Sequence, residues 1–482
     1  MSANTVLSPP RLDHLTRSTV AHSPSASVCL MFSDFLALAA VFCLAIGTKH
    51  IFNPNLDLKF YLETFPALLM FLVAFSSQGL YPALLLHPAE EMRRVFHSIT
   101  AVFLVLIAAT FLRKSGTDYS RYVLLLTWTL GSPAVLLGRR VMRKLLSDKS
   151  WWPVSAVVLG AGPAAQQVAR SLRNTKLGVR IIGLLEEDSV SSRNYDLAPI
   201  VGHISEAPAI CARGVARYAI VAMPHRSAEE IRQIVQEHCR GFHRILIMTD
   251  LFGMCCLGIS PREIGAHVGL EIPQRLSFLI PRVVKRSLDI IVSAILLLML
   301  VPSFLIICIA IKLTSKGPIF FGHLRHGREG KSFRALKFRT MVTNADQILH
   351  VHLERHPELL REWERDHKLK DDPRITGVGR WLRRYSLDEL PQLLNILVGH
   401  MSLVGPRPIV QSEIARYADS YDLYTRVTPG LTGLWQVSGR NNTTYKERIA
   451  FDEYYIRNWS IWMDIYILSC TFQAVFHGKG AY

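Results

Sequence analysis

Paired cysteines are missing from this chain. Its 8 cysteines are scattered through 482 residues with no C-x-x-C spacing, and Cys29, Cys43 and Cys308 lie inside apolar runs. That pattern argues against a disulfide framework or a zinc site and fits reduced thiols in a cytoplasmic or membrane setting. Acids are also scarce, 38 Asp and Glu against 55 Lys and Arg, for a net charge of +17. No basic stripe interleaved with aromatics accompanies that excess, so nucleic acid is not the expected partner. The 18 histidines are spread thinly, and His323 and His326 share an H-x-x-H spacing without a second ligand pair. No small-residue cleavage site accompanies the first apolar run, and 27 mostly polar residues precede it, so no removable signal peptide is read.

What is abundant is apolar sequence. Half of all residues are hydrophobic, and with the positive charge this points to a membrane protein facing anionic lipid or phosphorylated compounds. After a polar segment (1–27), the region 28–146 holds four apolar runs, at 28–46, 60–81, 98–112 and 122–138. Each approaches the roughly 20 residues that cross a bilayer, although Asp34, Glu63 and Pro66 weaken the first two. Arg93 and Arg94 after the second run, and Arg139, Arg140, Arg143 and Lys144 after the fourth, place both ends and the middle loop in the cytoplasm. Arg113, Lys114 and Arg121 vote the other way but are the smaller group.

From 151 to 270 the pattern changes to alternating strands and helices, as in a Rossmann-like α/β domain with a parallel sheet. "PVSAVVLGAGPAAQQVARSL" carries a G-x-G-x-x-A turn at Gly160, Gly162 and Ala165, and Glu186 or Glu187 stands where a ribose-binding acid would. No Tyr-x-x-x-Lys follows, which weighs against redox chemistry. Nucleotide binding and a purely structural role both stay open. Membrane character then returns in "KRSLDIIVSAILLLMLVPSFLIICIAIKL" (285–313). Pro302 interrupts it, and cations stand at both ends, so a helix–break–helix over 286–313 that enters and leaves on one side is expected. A straight fifth span is the alternative.

The last 200 residues gather short basic motifs around one conspicuous acid pair. "RRYSLDELPQLLNIL" sets Asp388 and Glu389 before a leucine-rich helical stripe. Ser386 and Glu389 have capping-box spacing, and acids in a first turn suit the helix dipole, which would keep Asp388 ionised. Pro391 complicates that cap. "KFRTM" holds Lys337 and Arg339, Arg383 precedes the acids, "GPRP" fixes Arg407 between prolines, and "PGLTGLWQVSGRN" ends on Arg440. Cations, rigid turns and a carboxylate pair are an inventory for phosphoryl transfer.

These motifs, with "KRSLDI" and "MSLVGPRP", make residues 281–482 resemble the bacterial sugar transferases, monotopic phosphoglycosyl transferases that act on polyprenyl phosphate. The four spans and the Rossmann-like insert resemble the family's long members. The resemblance implies transfer of a hexose 1-phosphate from a UDP-sugar to undecaprenyl phosphate, opening O-antigen or exopolysaccharide (lipopolysaccharide) synthesis, with galactose favoured and glucose next. It implies Asp388 as nucleophile forming a phosphosugar–aspartyl enzyme, Mg²⁺ held by Asp388 and Glu389, and Lys337, Arg383 and Arg407 as functional cations. Arg339 and Arg440 are further substrate-binding candidates, and Lys285 and Arg286 are placed to attract the lipid phosphate. A homodimer in the bacterial inner membrane, its catalytic domain on the cytoplasmic face, is expected. A membrane-anchored nucleotide-sensing regulator is the alternative of a different class, against which the intact acid pair and its cations speak.

Overall fold

The computed structural model describes residues 23–53, 61, 65–81, 86–112, 120–147, 149, 151–174, 178–187, 198–248, 260–264, 267–271, 279–356, 359, 363, 369, 372–438 and 443–476. The chain divides into two compact units, Met1–Asp250 and Leu251–Tyr482.

The first unit begins with helices α1 (Ser23–Phe52), α2 (Leu69–Ser77), α3 (Pro88–Leu112) and α4 (Arg121–Leu146). Each apolar run yields a helix, and α1, α3 and α4 are long and apolar enough to cross a membrane. The second run is shorter than expected. Pro66 lies in a 3-10 turn over Phe65–Leu68, and α2 ends at Ser77, with Gln78 as its C-cap beside Gly79 at φ +66°. Leu38, Phe71, Phe75, Ile99 and Val135 form the buried core among these helices.

Asp34 in the first run does not face lipid. Arg139 of α4, 1% exposed, donates through NH2 to Asp34 Oδ2 at 2.6 Å and through NH1 to Glu91 Oε1 at 2.8 Å. Tyr81 donates its hydroxyl to Asp34 at 2.7 Å, and Arg143 adds a second cation on Glu91. One planar fork thus joins α1, α3 and α4. Arg139→Lys is expected to cost about 1–3 kcal/mol, because a single ammonium cannot serve both carboxylates and one is left unpaired. Thermal melting of the detergent-solubilised protein measures this, and an unchanged midpoint would mean the fork carries no stability.

The α/β part follows with β1 (Val154–Leu159), α5 (Pro163–Asn174), β2 (Val179–Glu186), β3 (Ile200–His203), α6 (Ala207–Ala212), β4 (Tyr218–Val221), α7 (Ala228–His238) and β5 (Arg244–Ile247). All pairings are parallel, in the order β3-β2-β1-β4-β5, so the chain reverses direction across the sheet beside β1. Gly160 leaves β1 at φ +108°, and a Cβ there would lie 2.9 Å from the Ala222 carbonyl oxygen, so the turn requires glycine. Glu187, at the position read as ribose-binding, is paired with Arg226 at 2.7 Å. Beyond β5, β6 (Ser260–Ile264) and β7 (His267–Glu271) pair with each other as an antiparallel hairpin. Among the described residues the last strand of the parallel sheet ends at Ile247.

In the second unit the dominant element is α8 (Leu279–Thr314), 36 residues long. It runs without a gap through Pro302, so the expected helix–break–helix is one helix here; the proline removes a single donor, and the turns on either side stay helical. Both ends of α8 are tied to the same globular body. It comprises β8 (Phe320–His326), β9 (Ser332–Phe338), α9 (Ala345–Arg355), α10 (Gly377–Arg384), α11 (Gln392–Val398), β10 (Ser402–Val404), α12 (Gln411–Tyr417), α13 (Ser420–Thr425), β11 (Gly430–Thr432), α14 (Leu434–Ser438), α15 (Tyr445–Asn458) and α16 (Ile461–Phe476). Near its start, Asp289 accepts from Ser402 Oγ at 2.7 Å and Leu403 N at 3.1 Å. Near its end, Ile307 and Ile311 pack on Phe338 and Leu382. Between these anchors Leu298 and Met299 stand more than two-thirds exposed, at 76% and 72%.

Candidate active site

Lys337 comes from an antiparallel hairpin in which it pairs with Phe321. Past the end of β9 the chain reaches Thr340, whose carbonyl accepts from Thr376 N just ahead of the start of α10. The Thr376 side chain caps that start by accepting from Gly379 N at 2.9 Å, and a Cβ on Gly379 would overlap the Thr340 carbonyl. Four residues on, Arg383 donates from Nε to Thr340 Oγ1 at 2.9 Å, which fixes its guanidinium beside the acid pair.

The acids do not sit in the expected cap. Ser386 takes a left-handed backbone (φ +56°) and makes no side-chain cap. Leu387–Glu389 form a separate 3-10 turn ahead of Pro391, and α11 starts only at Gln392. Leu390, the residue before Pro391, is itself helical (φ −52°, ψ −36°), so the cap is lost at Ser386, whose left-handed backbone is not the extended one an N-cap needs. Leu387 and Leu390 turn into the core with Ile307, Ile311, Phe338 and Leu382, so the acids between them face the other way. Asp388 is 8% exposed. Lys337 Nζ lies 2.7 Å from Glu389 Oε1 and 3.5 Å from Asp388 Oδ2. Asn395 holds this register: its Oδ1 accepts from Leu336 N at 2.9 Å, and its Nδ2 donates to the Arg334 carbonyl at 2.8 Å, clamping α11 onto β9.

Burial pushes the Asp388 carboxyl above the usual carboxylate range; Lys337 and Arg383 pull it down, and the Glu389 charge adds to the rise. Glu389 stays low, because Lys337, then Arg407 and Arg325, outweigh its own burial. The cations, not a helix end, hold Glu389 low and oppose the rise at Asp388. His323, on the strand beside Lys337, is held below its ordinary pKa by burial and by Arg325, Lys337 and Arg407. The site has a positive field around one acid pair.

Of the residues singled out by sequence, Lys337 and Arg383 flank the acids, and Arg407 stands 5.5 Å over the Trp435 ring on their positive side. Arg339 is buried and donates to the Ser315 and Lys316 carbonyls at the end of α8, an anchoring contact and not a substrate-facing one. Lys285 and Arg286 are likewise committed. Lys285 donates to Asp464 at 2.7 Å and to the Val404 carbonyl, and Arg286 donates to the Ile396 and Leu397 carbonyls that end α11. They fasten α8 to the domain instead of standing free for a lipid phosphate, because the adjacent carboxylate and helix-end carbonyls are nearer partners. Arg440 lies outside the described residues. Reading the sequence missed Thr340, Asn395, Arg325 and Arg448. Asn395 had left a signal, as a polar residue inside the apolar stripe of "LLNIL".

Among the described residues no group of three or more His, Cys, Asp or Glu forms a metal cage. Two adjacent carboxylates such as Asp388 and Glu389 are the kind of donor set a Mg²⁺ ion can use when phosphate oxygens and water complete its shell. These residues fit that ion. An acid pair with a shared ammonium and a flanking guanidinium can neutralise a diphosphate and present a carboxylate to phosphorus.

Residues 280–478 match the bacterial sugar transferase family, and residues 76–248 match a CoA-binding domain family. An undecaprenyl-phosphate galactose phosphotransferase of Salmonella typhimurium is 37% identical over 403 residues, covering 81% of this chain and 82% of that protein. A UDP-glucose:undecaprenyl-phosphate glucose-1-phosphate transferase of Klebsiella pneumoniae is 34% identical over 334 residues, 67% of this chain and 68% of that protein. An exopolysaccharide production protein of Rhizobium meliloti is 47% identical over 198 residues, 41% of this chain and 88% of its own length.

Proposed function

Because this chain belongs to the bacterial sugar transferase family, we propose that it moves a hexose 1-phosphate, galactose 1-phosphate by preference, from a UDP-sugar to undecaprenyl phosphate. The observation that carries this is Lys337 shared between Asp388 and Glu389, with Arg383 set beside them on Thr340. A carboxylate this buried and this near two cations is suited to attack phosphorus, not to bind solvent.

The Asp388 carboxylate forms a bond to the phosphorus that bears the sugar. The bridging P–O bond breaks, and its electron pair leaves on the nucleoside monophosphate. Lys337 and Arg383 offset charge on the phosphate oxygens as this happens. An oxygen of the lipid phosphate then attacks the same phosphorus and releases Asp388 as carboxylate, so the donor product departs before the acceptor reacts. Mg²⁺, held by Asp388 and Glu389, would supply further charge neutralisation on the diphosphate.

The acceptor is a lipid and the donor is soluble, so the chemistry must sit at a membrane surface. A helix of 36 residues would reach about 54 Å if straight. Yet Asp289 and Ile307 both hold to one globular body while the stretch between them exposes Leu298 and Met299. A straight crossing would put roughly 30 Å of hydrocarbon between those anchors. A helix that dips into one leaflet and returns avoids that conflict, with the catalytic domain on the cytoplasmic face where nucleotide sugars are made. The Rhizobium relative, nearly spanned by its 198-residue match, supports residues 281–482 as the part that carries the chemistry.

Membranes containing the protein are to be incubated with undecaprenyl phosphate and labelled UDP-galactose or UDP-glucose. Label is expected in the lipid fraction, faster from UDP-galactose. Greater transfer from UDP-glucose would reassign the sugar, and no labelled lipid from any UDP-hexose would overturn the reading.

A further inference from the structure

Beyond the acid pair lies a second polar cluster with donors that lack acceptors. Arg448 on α15 is only 9% exposed, yet its Nε and NH2 have no hydrogen-bond partner among the described residues, nor do Trp435 Nε1 and the Tyr445 hydroxyl. Native proteins leave few such groups unpaired unless a ligand or water completes them. The Arg448 guanidinium carbon sits 5.1 Å from the Trp435 ring centre and 5.1 Å from that of Tyr445, and Arg407 lies over the same indole at 5.5 Å. Glu413 ties this group to a third arginine, with an oxygen 3.3 Å from Arg448 NH1 and another 3.8 Å from Arg325 NH1. Two guanidiniums thus share the Glu413 carboxylate, and a third, Arg407, lies over the same indole as Arg448. The other nearby carboxyl, Asp452, is pushed up to about 7 by burial and accepts from the Tyr417 hydroxyl.

We infer that Arg448, Arg407 and Arg325, with the Trp435 indole N–H and the Tyr445 hydroxyl, form an anion subsite for a phosphate monoester, and that its occupant is the phosphate of the departing nucleoside monophosphate. This rests on the proposed transfer. When Asp388 bonds to phosphorus, the leaving phosphate gains negative charge on the side away from Asp388. The β8–β9 register pairs Phe321 with Lys337 and Arg325 with Phe333, which puts Arg325 on the same face of the hairpin as Lys337, so the cluster borders the acid pair. The donor atoms themselves are buried, while Trp435 and Tyr445 are half-buried beside them, and two such aromatic rings suit a nucleotide. The lipid acceptor also carries a phosphate monoester and is the competing source of the same chemistry.

Binding of UMP to the full-length detergent-solubilised protein, with no lipid acceptor present, tests this without turnover. Arg448→Lys is expected to weaken UMP about tenfold or more, since an ammonium cannot replace two guanidinium donors. Trp435→Phe and Tyr445→Phe each keep a ring and remove one donor, and each should weaken UMP about three- to tenfold. These two variants keep the test decisive if Arg448→Lys fails to fold. In the transfer assay all three should raise the inhibition constant of UMP and leave the KM for undecaprenyl phosphate unchanged. Unaltered UMP affinity in the variants, or no UMP binding by the parent protein, would overturn the subsite. A raised lipid KM with unaltered UMP affinity would assign the cluster to the acceptor and overturn the nucleotide assignment. If the parent binds UMP but forms no labelled lipid, the transfer reading fails while the subsite stands.

Discussion

Asp388→Asn is expected to lower transfer at least about a thousandfold while the protein folds and melts as before. The substitution keeps the shape of a side chain that is 8% exposed and removes only its charge. Lys337 is not orphaned, because Glu389 remains 2.7 Å away, and the like-charge repulsion between the two acids disappears. Folding should therefore be indifferent. Chemistry should not be, since an amide oxygen neither displaces a nucleoside monophosphate nor leaves as a carboxylate. Turnover within about tenfold of the parent would mean that Asp388 is not the nucleophile.

Lys337→Met should lower kcat by about 10²–10³ and move the acid limb of the pH–rate profile to higher pH. Methionine keeps most of the apolar stem, so packing on β9 survives. What is lost is the positive charge that pulls both carboxyls down. The sign follows directly. Burial and Glu389 already raise Asp388, and without Lys337 only Arg383 opposes them, so protonation begins to silence the nucleophile at a higher pH. Activity of the variant should recover partly as pH is raised. An acid limb that stays where it was would show that Lys337 does not set the charge state of Asp388.

Much of this arrangement was legible in the residues themselves. Hydrophobic runs announce α1, α3, α4 and α8, and the strand–glycine–helix pattern at Gly160 announces a parallel sheet. The acid pair and its nearest cations stand out because they are charges bracketed by prolines, glycines and a leucine stripe. Other features depend on contacts between segments far apart in the chain. Arg139 reads as a positive-inside marker, yet it folds inward because Asp34 lies 105 positions earlier on a neighbouring helix. Lys285 and Arg286 read as free cations for the same reason, since Asp464 and the end of α11 become their partners only after folding. The capping box at Ser386 failed locally, because the serine takes a left-handed backbone instead of the extended one an N-cap needs. Arg448 was passed over because its surroundings, Trp435 and Glu413, come from other elements.

The most direct measurement is the covalent state of Asp388 itself. The protein is incubated with UDP-galactose and Mg²⁺ in the absence of undecaprenyl phosphate, quenched in acid, digested and examined by mass spectrometry. The peptide spanning "SLDELPQ" is expected to carry one hexose phosphate on Asp388, with a stoichiometric release of UMP, and to lose it when undecaprenyl phosphate is added. An unmodified peptide and no UMP burst, from a preparation that goes on to transfer sugar phosphate once the lipid is supplied, would contradict the account.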